Sequence, residues 1–580
     1  MINASNEAKQ LVLDQLATGR LRLDRHNLLS IVGAAIGLSV LAAITLLTGS
    51  VRAQIPELSD ADWMTYNRNL QGDRYSPLKE ITTANIKDLR PTATFDTGEA
   101  VTFETGPIVV DGTMYFTTYQ TTYAVDAVTG QLKWRRSHPV STPGEGSHRG
   151  LAYADGMVFR GFNDGHFIAM KVTDGSVVWE KVISDPAKGE SLPMAPIAWD
   201  GKVFVGNAGS EFFGVTGRIY ALDAGTGEQI WMFHTVPDSG PAGATWTNKS
   251  NTNPPTGAGL WTTFSLDPAN GALYAATGNP GPDFALALHP GENLYANSIL
   301  ALDARSGTLL GYVQPIKHDY HDWDMDAAPA IIRTRGGREL AVAGAKDGLV
   351  YGIDRARIGE AVRKGLGQQS SNKFELLGEG ELPIQYQTAA TRRLNVDIPL
   401  SDQHFTRFAP GQAGGMVWNG PAYDPELNLI YTPMVDWATS VKLAPASTLT
   451  GKPGHPWLGT HDSNFGQQDP KSQWGGYLTA LDADSGKIRW QLRTPTPLLG
   501  GVTTTGGGLV FCGDLNGDFS AYEGRTGKRL WTHHIGQPMG AGVVSYEAGG
   551  RQHIAVAAGL KSLNWPVTTG TARIVIYRLP

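Results

Sequence analysis

The stretch from His318 to Asp326 concentrates the side chains of this chain that are best suited to chemistry. Its sequence, HDYHDWDMD, holds four aspartates and two histidines in nine residues, a density that is not typical of a solvated surface. Carboxylates can act as general bases, and several together can bind a hard cation through oxygen. The residue types here are those of acid–base and metal chemistry.

Two further side chains with suitable oxygens stand beside glycines. Glu211 lies in the segment GNAGSEFFGVTG, residues 206–217, where a carboxylate can approach a cation closely. Asn279 lies in YAATGNP, residues 274–280. Taken alone, a solvated loop glutamate and an ordinary Asn-Pro turn explain these two residues. A functional interpretation depends on the elements that position them.

A repeated phrase predicts those elements. An aromatic or small residue, Ala, a hydrophobic residue and Asp are followed by Thr-Gly or Ser-Gly, and Trp comes four residues after the glycine. The copies are YAVDAVTGQLKW ending at Trp134, YALDAGTGEQIW at Trp231, TALDADSGKIRW at Trp490 and AYEGRTGKRLW at Trp531, with weaker copies ending at Trp179 and Gly311. Each copy predicts a strand that turns at glycine and returns, with the Trp packing one sheet against the next.

The repeat predicts an all-β fold, an eight-bladed β-propeller with tryptophan-docking repeats. One four-stranded sheet cannot bury both faces, so such sheets stack around an axis, which also protects their edges. Roughly 525 residues after the N-terminal segment divide into eight blades of about 65 each; seven blades and an open β-solenoid are the alternatives. The 71 glycines, 34 prolines and 15 tryptophans, with only 18% charged residues, suit short strands and tight turns.

Charge and cysteine content exclude some classes of function. The formal net charge of -6 gives no basic surface for phosphate backbones, so no nucleic-acid partner is expected. The single cysteine, Cys512, excludes an intramolecular disulfide and covalent haem attachment through Cys-x-x-Cys-His.

The N-terminal segment carries an export signal. Residues 28–48 are apolar and uncharged, and three arginines (Arg20, Arg22 and Arg25) precede them. About 20 apolar residues approach the length of a membrane span, whereas Ala53 before Gln54 fits a signal-peptidase site. We predict a signal peptide or membrane anchor at 1–54 and the propeller at 55–580, in the periplasm, either free or anchored to the inner membrane.

The chain resembles the quinoprotein alcohol dehydrogenases that depend on pyrroloquinoline quinone (PQQ), in the single-domain form without a haem c domain. The resemblance spans about residues 60–570. It includes Trp63, the run Asp73-Arg74-Tyr75-Ser76-Pro77-Leu78 near the start, and Leu515-Asn516-Gly517-Asp518 near the end. Because non-enzymatic propellers also carry docking phrases, the functional prediction depends on the site residues.

The resemblance implies a metal site and a base. Asp324, which follows Trp323 as in the family's His-Asp-x-Trp-Asp element, would be the catalytic base and would reach the metal. Further metal ligands would be Glu211, Asn279 and Asp326, and the expected metal is Ca²⁺ or another divalent or heavier cation. Because the pair His318-Asp319 is extra or shifted, Asp319 and Asp322 remain open as alternatives for the base.

The resemblance also implies a binding site for PQQ. Trp261 would form the floor beneath the quinone ring, and Lys346 would polarise a quinone oxygen. Glu104, Arg149 and Asn419 match the family's polar contacts to the cofactor. Cationic side chains suit PQQ, which carries three carboxylates.

The family pattern is broken at several positions near the cofactor. The adjacent cysteines of many relatives are missing, which leaves His148 as the candidate to cover the other face of the quinone. Leu499 replaces an aromatic residue, and Pro193 and Ala208 stand where relatives often have a hydroxyl. A degenerate quinoprotein that binds no cofactor is therefore one alternative.

The resemblance predicts a dehydrogenase that oxidises an alcohol, polyol or sugar hydroxyl outside the cytoplasm, by hydride transfer to metal-bound PQQ. Because the chain has no haem motif, its electrons would pass to a separate cytochrome c or to a membrane quinone. The other alternative is a non-enzymatic scaffold propeller of the outer-membrane assembly type, which shares the repeat but predicts scattered carboxylates.

Overall fold

The computed structural model describes residues 59–140, 146–363, 380–562, 564–568 and 570–580. The predicted signal peptide or anchor at 1–54 lies outside these residues. Leu58–Pro580 forms one compact unit. Among the described residues, none of the helices has the length and apolar character needed to cross a membrane.

Antiparallel β-sheets dominate the described residues. After β1 (Tyr75–Ser76) and β2 (Arg90–Asp96), the strands form six sheets of four. Sheet 1 is β3 (Ile108–Val110), β4 (Thr113–Thr117), β5 (Thr121–Asp126) and β6 (Leu132–Ser137); sheet 2 is β7 (Ala152–Ala154), β8 (Met157–Gly161), β9 (His166–Lys171) and β10 (Val177–Val182); sheet 3 is β11 (Ile197–Trp199), β12 (Lys202–Gly206), β13 (Arg218–Asp223) and β14 (Gln229–His234); sheet 4 is β15 (Ser265–Asp267), β16 (Ala272–Ala276), β17 (Ile299–Asp303) and β18 (Leu309–Val313); sheet 5 is β19 (Ala330–Arg333), β20 (Glu339–Gly344), β21 (Leu349–Asp354) and β22 (Ile384–Ala389); sheet 6 is β24 (Ala422–Asp424), β25 (Leu429–Asp436), β28 (Gly475–Asp482) and β29 (Ile488–Thr494).

The last two large sheets combine both ends of the described chain. Sheet 7 joins β1, in parallel, to β30 (Thr503–Thr505), β31 (Leu509–Gly513), β32 (Asp518–Glu523) and β33 (Arg529–His534). Sheet 8 orders β34 (Val543–Ala548), β35 (Arg551–Ala558) and β36 (Arg573–Arg578) before β2, which pairs antiparallel with β36. Pairing of the first strands with the last protects edges that would otherwise be free.

The loops between these sheets contain a few short secondary-structure elements. A three-stranded sheet is formed by β23 (Thr406–Phe408), β26 (Thr439–Val441) and β27 (Gln467–Gln468), and the α-helices are α1 (Gly240–Ala244) and α2 (Ala356–Arg363). Single 3-10 turns occupy Ile86–Asp88, Pro186–Lys188, Leu286–Leu288, Ala446–Thr448 and Lys471–Gln473. The all-β prediction is confirmed, and the fold is propeller-like.

The repeat tryptophans connect neighbouring sheets. In sheet 1, Trp134 pairs with Ala124 at a register shift in the ladder between β5 and β6. Its indole Nε1 donates to the carbonyl of Val172 in sheet 2, at 2.7 Å. The same donation joins Trp179 to Ala224, Trp231 to Ala304 and Trp490 to Gly524. The predicted docking role of these side chains is confirmed.

The glycine of the repeat makes room for this docking. Gly175 follows β9 at φ +71°, and a Cβ built there would lie 2.7 Å from the Trp134 ring. Both the left-handed backbone and the close indole therefore require glycine. Deleting such a buried indole costs about 3–5 kcal/mol in typical cores.

The degree of burial differs between the strands of one sheet. All residues of β16 are buried, whereas β6 is exposed except at Trp134. β14 repeats the pattern of β6, with only Trp231 fully buried, whereas β18, the fourth strand of sheet 4, is buried at four of its five residues. The loop after β18 and the loops that follow the inner strands β12, β16 and β20 carry the candidate site.

Candidate functional site

The loop between β18 and β19 holds the predicted acidic stretch. Asp319 shapes this loop, because its carboxylate accepts hydrogen bonds from the backbone N–H groups of His321 at 3.1 Å and Trp323 at 2.9 Å. The His321 and Trp323 rings stack with centroids 4.0 Å apart. Both oxygens of Asp319 are thereby used within the loop, so its geometry is that of a turn residue.

Asp324 and Lys346 form the centre of the site. Lys346 Nζ lies 2.7 Å from Asp324 Oδ2 and 3.3 Å from Asp322 Oδ2. The other oxygen of Asp324 accepts from the backbone N–H of Asn279 at 2.8 Å. Asp324 is therefore held at both oxygens, by a cation and by the backbone of the next predicted ligand.

The charge of Lys346 is stabilised by its surroundings. Burial alone would lower the pKa of this ammonium, but the carboxylates of Asp322, Asp324 and Asp326 raise it well above its ordinary value. Lys346 thus remains protonated at any physiological pH and supplies a fixed positive charge.

Lys346 is the cationic partner of Asp324 and Asp322, but other acids of the site keep buried oxygens without a partner in the described part of the chain. Burial raises the pKa of Glu211, and it raises the pKa values of Asp283, Asp322 and Asp326 well above the ordinary value. Both carboxylate oxygens of Asp326 and Oδ2 of Asp283 are buried without a hydrogen-bond partner. Buried acidic oxygens of this kind are matched to a cation.

Asp283 is a member of the site that sequence reasoning missed. Asn279 donates its Nδ2 to Asp283 Oδ1 at 3.1 Å and to the carbonyl of Pro280 at 3.1 Å. With its NH₂ group committed, Asn279 has its amide oxygen available for a metal. The signal in the sequence was an acid four residues after the predicted ligand, in the turn NPGPD.

We call Glu211, Asn279, Asp283, Asp322, Asp324 and Asp326 the oxygen cluster. Among the described residues, no three acidic side chains of this cluster bring ligand atoms within 4.8 Å of one another. Mutual repulsion between these like charges, with Lys346 as their cationic partner, favours such separation.

The predicted cofactor contacts lie on the other side of Lys346. The Arg149 guanidinium is 2.8 Å from Glu104 Oε2, and its Nη1 donates to the carbonyl of Trp261 at 2.9 Å. Its central carbon lies 4.6 Å from the Trp261 ring centroid, and Lys346 Nζ lies 5.7 Å from that centroid. Two cations therefore stand over the indole that was predicted as the cofactor's floor.

One cavity of about 500 Å³ is lined both by residues of the oxygen cluster and by the predicted cofactor contacts. Predicted residues in its lining are Glu104, Arg149, Glu211, Trp261, Asp322, Asp324 and Lys346. Aromatic residues in its lining are Phe212, Trp418, Phe465 and Trp565, none of which the sequence singled out as part of a site. The lining of the cavity thus combines charged and aromatic side chains, as a site for a planar, anionic ligand would.

Similarity to known proteins covers most of the chain. The family model described as "PQQ: Glucose/ethanol/alcohol dehydrogenase, beta-propeller domain" matches residues 63–364 and 361–554. The chain belongs to the PQQ-dependent quinoprotein alcohol dehydrogenases. The protein is accordingly an oxidoreductase of this class, and the predicted family resemblance is confirmed.

Two individual relatives of this quinoprotein show how far the similarity extends. It is 31% identical over 528 residues to quinoprotein alcohol dehydrogenase PedH of Pseudomonas putida, covering 86% of each chain. It is 28% identical to the lanthanide-dependent methanol dehydrogenase of Methylacidiphilum fumariolicum, covering 87% of this chain and 85% of the relative.

A solved europium-containing methanol dehydrogenase aligns with the quinoprotein at a TM-score of 0.77 and 25% identity, covering 90% of this chain and 98% of the other. Two of these relatives are named for a lanthanide or for europium, so members of the family work with a metal ion. The unpaired carboxylate oxygens of the oxygen cluster fit a metal ion, and the cations over Trp261 fit the carboxylates of PQQ.

Several predicted residues of the quinoprotein are not in the cavity lining: the metal ligands Asn279 and Asp326, and also Asn419 and His148. Asn419 accepts from Tyr66 at 2.9 Å and Arg74 at 2.8 Å, and it donates to the carbonyl of Leu499 at 2.6 Å. Its role in cofactor binding stays a prediction, since its amide is already used in a buried network.

His148 is also buried, with Nδ1 3.1 Å from Thr117 Oγ1 and Nε2 2.7 Å from the Gly161 carbonyl. It is not among the described residues that line the cavity. The sequence-based candidate for the cover of the quinone is thus placed in the interior of the quinoprotein's fold.

Proposed function

We propose that this quinoprotein oxidises an alcohol hydroxyl, with Asp324 as the base that accepts the hydroxyl proton. The observation that carries the proposal is the placement of Asp324 in the cavity, with its oxygens fixed by Lys346 at 2.7 Å and by the N–H of Asn279 at 2.8 Å. A base must be held within reach of the proton that it accepts, and these two contacts orient its carboxylate.

Each residue of the site has a part in this reaction. When bound, PQQ supplies the hydride acceptor. Trp261 would stack beneath it and exclude water from that face, while Arg149 would hold its carboxylates. Lys346 would place its fixed charge beside the developing negative charge and keep Asp324 in position.

For the metal, we propose a trivalent lanthanide in preference to the calcium that the sequence predicted. Asp326 adds two buried, unpaired carboxylate oxygens to the oxygen cluster, and Asp283 adds one more. Each additional anion beside the cation strengthens the attraction for a trivalent ion more than for a divalent one. Relatives named for lanthanide and europium support this choice.

For the substrate, the aromatic side chains in the lining of the cavity support alcohols with an apolar part. Phe212, Phe465 and Trp565 offer apolar surface to the cavity. Such surface would bury an alkyl or aryl group but gives few hydrogen bonds to a polyol or sugar.

The wider setting follows from the sequence predictions. We infer that the eight large sheets are the eight blades of a propeller and that the enzyme works in the periplasm, with electrons passing to a separate cytochrome c or to a membrane quinone. Relatives whose names include cytochrome c and quinone support these two acceptors.

The proposal is tested by reconstitution. The purified enzyme would be loaded with PQQ and either La³⁺ or Ca²⁺, and dye-linked oxidation would be measured for hexanol, an aryl alcohol, glycerol and glucose. We expect activity that requires PQQ and metal, is higher with La³⁺, and favours the apolar alcohols. Folded protein that binds no PQQ would establish the degenerate alternative.

Two matched variants identify the base. Asp324→Asn should lower kcat by about 10²–10⁴-fold while PQQ binding, followed by absorbance, persists. Asp322→Asn, which leaves the contact of 2.7 Å between Asp324 and Lys346, should lose less than tenfold. The reverse ranking of the two variants would move the base to Asp322.

A further inference from the structure

A second group of metal-ligand side chains lies in sheets 1 and 2, outside the cavity. His138 follows β6, His166 begins β9 and Glu180 lies on β10. One ligand atom from each of the three residues lies within 4.8 Å of the other two. Within the described part of the chain, no other trio of His, Cys, Asp and Glu side chains meets this criterion.

Asp164 holds the two imidazole rings of this group. Its Oδ2 lies 3.0 Å from His138 Nε2, and its Oδ1 lies 3.0 Å from His166 Nδ1. The contact with His138 is a hydrogen bond, and the backbone N–H of His166 donates to Asp164 Oδ1 at 3.2 Å. A carboxylate that orients a histidine through one ring nitrogen leaves the other nitrogen for a metal, which is the usual arrangement around metal-binding histidines.

Glu180 supplies the third ligand of the site. His166 Nε2 lies 3.5 Å from Glu180 Oε1. Ligands of a tetrahedral zinc ion stand about 3.3 Å apart, given bonds of about 2.0 Å. Glu180 is 41% exposed, so rotation of its flexible side chain can close the remaining gap, and one coordination position stays open to water.

The supporting framework is rigid. His166 and Glu180 belong to the paired strands β9 and β10, where Val182 is opposite His166 and Glu180 is opposite Ile168. The His138 ring packs on Phe162, with centroids 4.3 Å apart. Strands hold ligands more precisely than loops, which lowers the cost of ordering the site.

We propose that His138, His166 and Glu180 form a site for a transition-metal dication, with Zn²⁺ as its occupant and Asp164 as the residue that positions both imidazoles. Two nitrogens and one carboxylate suit a borderline metal, whereas the oxygen cluster suits a hard one. The site adjoins the cavity, because Asn163, which lines the cavity, directly precedes Asp164. Zinc would therefore fix the turn between β8 and β9 behind the cavity wall.

The test is a zinc titration of the full chain loaded with PQQ and La³⁺, so that the oxygen cluster is occupied beforehand. Calorimetry should detect one equivalent of tightly bound Zn²⁺, and the unfolding temperature should rise on addition of zinc. Co²⁺ in the same site should give the visible absorption of a low-symmetry nitrogen and oxygen environment. Failure of the wild-type protein to bind Zn²⁺ at micromolar concentration would overturn the proposal.

Single substitutions locate the bound ion. His166→Gln and Glu180→Gln should each weaken zinc binding by at least about 100-fold and abolish the stabilisation by zinc. The matched control is His534→Gln, which removes a histidine from a comparable pair in sheet 7, where Nδ1 lies 2.7 Å from Asp518 Oδ1. Equal zinc affinity in Glu180→Gln and the wild type, or loss of binding in His534→Gln alone, would contradict the assignment. Because Glu180 is exposed, its variant should fold even if the histidine variant does not.

Discussion

Aspartates of the docking repeats and aspartates of the cavity are the same residue type in opposite situations. In the repeats, Asp126 accepts from the N–H groups of Val128 and Thr129, and Asp223 accepts from those of Gly225 and Thr226. Although burial opposes it, such hydrogen bonds hold the pKa of Asp126 below its ordinary value.

In the oxygen cluster, burial prevails, and the pKa values of Asp283, Asp322 and Asp326 are raised. A repeat carboxylate is thus satisfied by its own turn, whereas Asp283 and Asp326 keep buried oxygens without a hydrogen-bond partner among the described residues. Satisfaction of the oxygens, more than residue type, separates structure from function here.

Removal of a cavity carboxylate should have the largest effect. Glu211→Gln should lower kcat by at least about 100-fold with La³⁺ or Ca²⁺ present, because it removes a charged oxygen ligand from the oxygen cluster. Its unfolding temperature without metal should stay near that of the wild type. Asp482→Asn, a repeat control whose carboxylate accepts from the N–H of Ser485, should keep full activity. Comparable losses of activity in both variants would contradict the functional distinction between cavity carboxylates and repeat carboxylates.

Asp319 is a borderline case, since it lies in the cavity loop but has the contacts of a repeat aspartate. Asp319→Asn should lower kcat less than tenfold, because it retains one acceptor oxygen and mainly loosens the loop. Steady-state kinetics of this variant and of Asp324→Asn would show which of the two aspartates is the base. A loss of 100-fold or more in Asp319→Asn would restore Asp319 as a candidate for the base.

Aspartates of the oxygen cluster and aspartates of the repeats should also change the free energy of unfolding in opposite directions as pH rises. Asp326 has a raised pKa in the folded state, so its contribution to the stability of metal-free protein is present below the unfolded pKa of about 3.9 and is lost as pH rises. Asp126 has a lowered pKa, so its contribution is present above that value and is lost as pH falls.

Urea unfolding of chelator-treated protein at pH 5 and pH 7 measures this difference. Relative to the wild type, Asp326→Asn should gain stability at pH 7 compared with pH 5, by at most about 1.4 kcal/mol per pH unit. Asp126→Asn should show no such change between pH 5 and pH 7, and its stability relative to the wild type should rise only when the pH is lowered from 5 to about 3. The same trend in both variants would show that their environments are alike.

The smallest effect is expected at a repeat turn. Asp223→Asn should destabilise the protein by about 1 kcal/mol, because neutral acceptors make weaker hydrogen bonds to the N–H groups of Gly225 and Thr226. The midpoint of urea unfolding would report this change, and metal affinity should be unaltered. A change in metal affinity would link the repeat turns to the cavity.

Local sequence patterns predicted much of this molecule. The docking phrase predicted the hairpins and the packing of Trp134 and Trp231 against the next sheet, since a glycine turn and an indole lie within twelve residues. The acidic stretch specified Asp324 because its density is visible without any long-range information. Features that lie within one contiguous segment can be predicted from local sequence patterns.

Features assembled from distant segments were harder to predict. His138, His166 and Glu180 belong to three different strands or turns, and no spacing in the sequence connects them. Asn419 was predicted at the cofactor, but its partners Tyr66 and Arg74 come from near the start of the described chain. Such contacts depend on how sheets meet, which a single sequence does not encode locally.

The pairing of β2 with β36 has a consequence for the order of folding and for engineering. Because Arg90 is opposite Arg578, sheet 8 is completed only after nearly the whole described chain has emerged, and closing so long a loop has an entropic cost. A circular permutant with new ends in an exposed turn between two sheets, and with β36 joined to β2 by a linker, would turn this closing contact into a local hairpin. In such a permutant the pairing of β2 with β36, which is last in the natural chain, would become one of the first contacts to form.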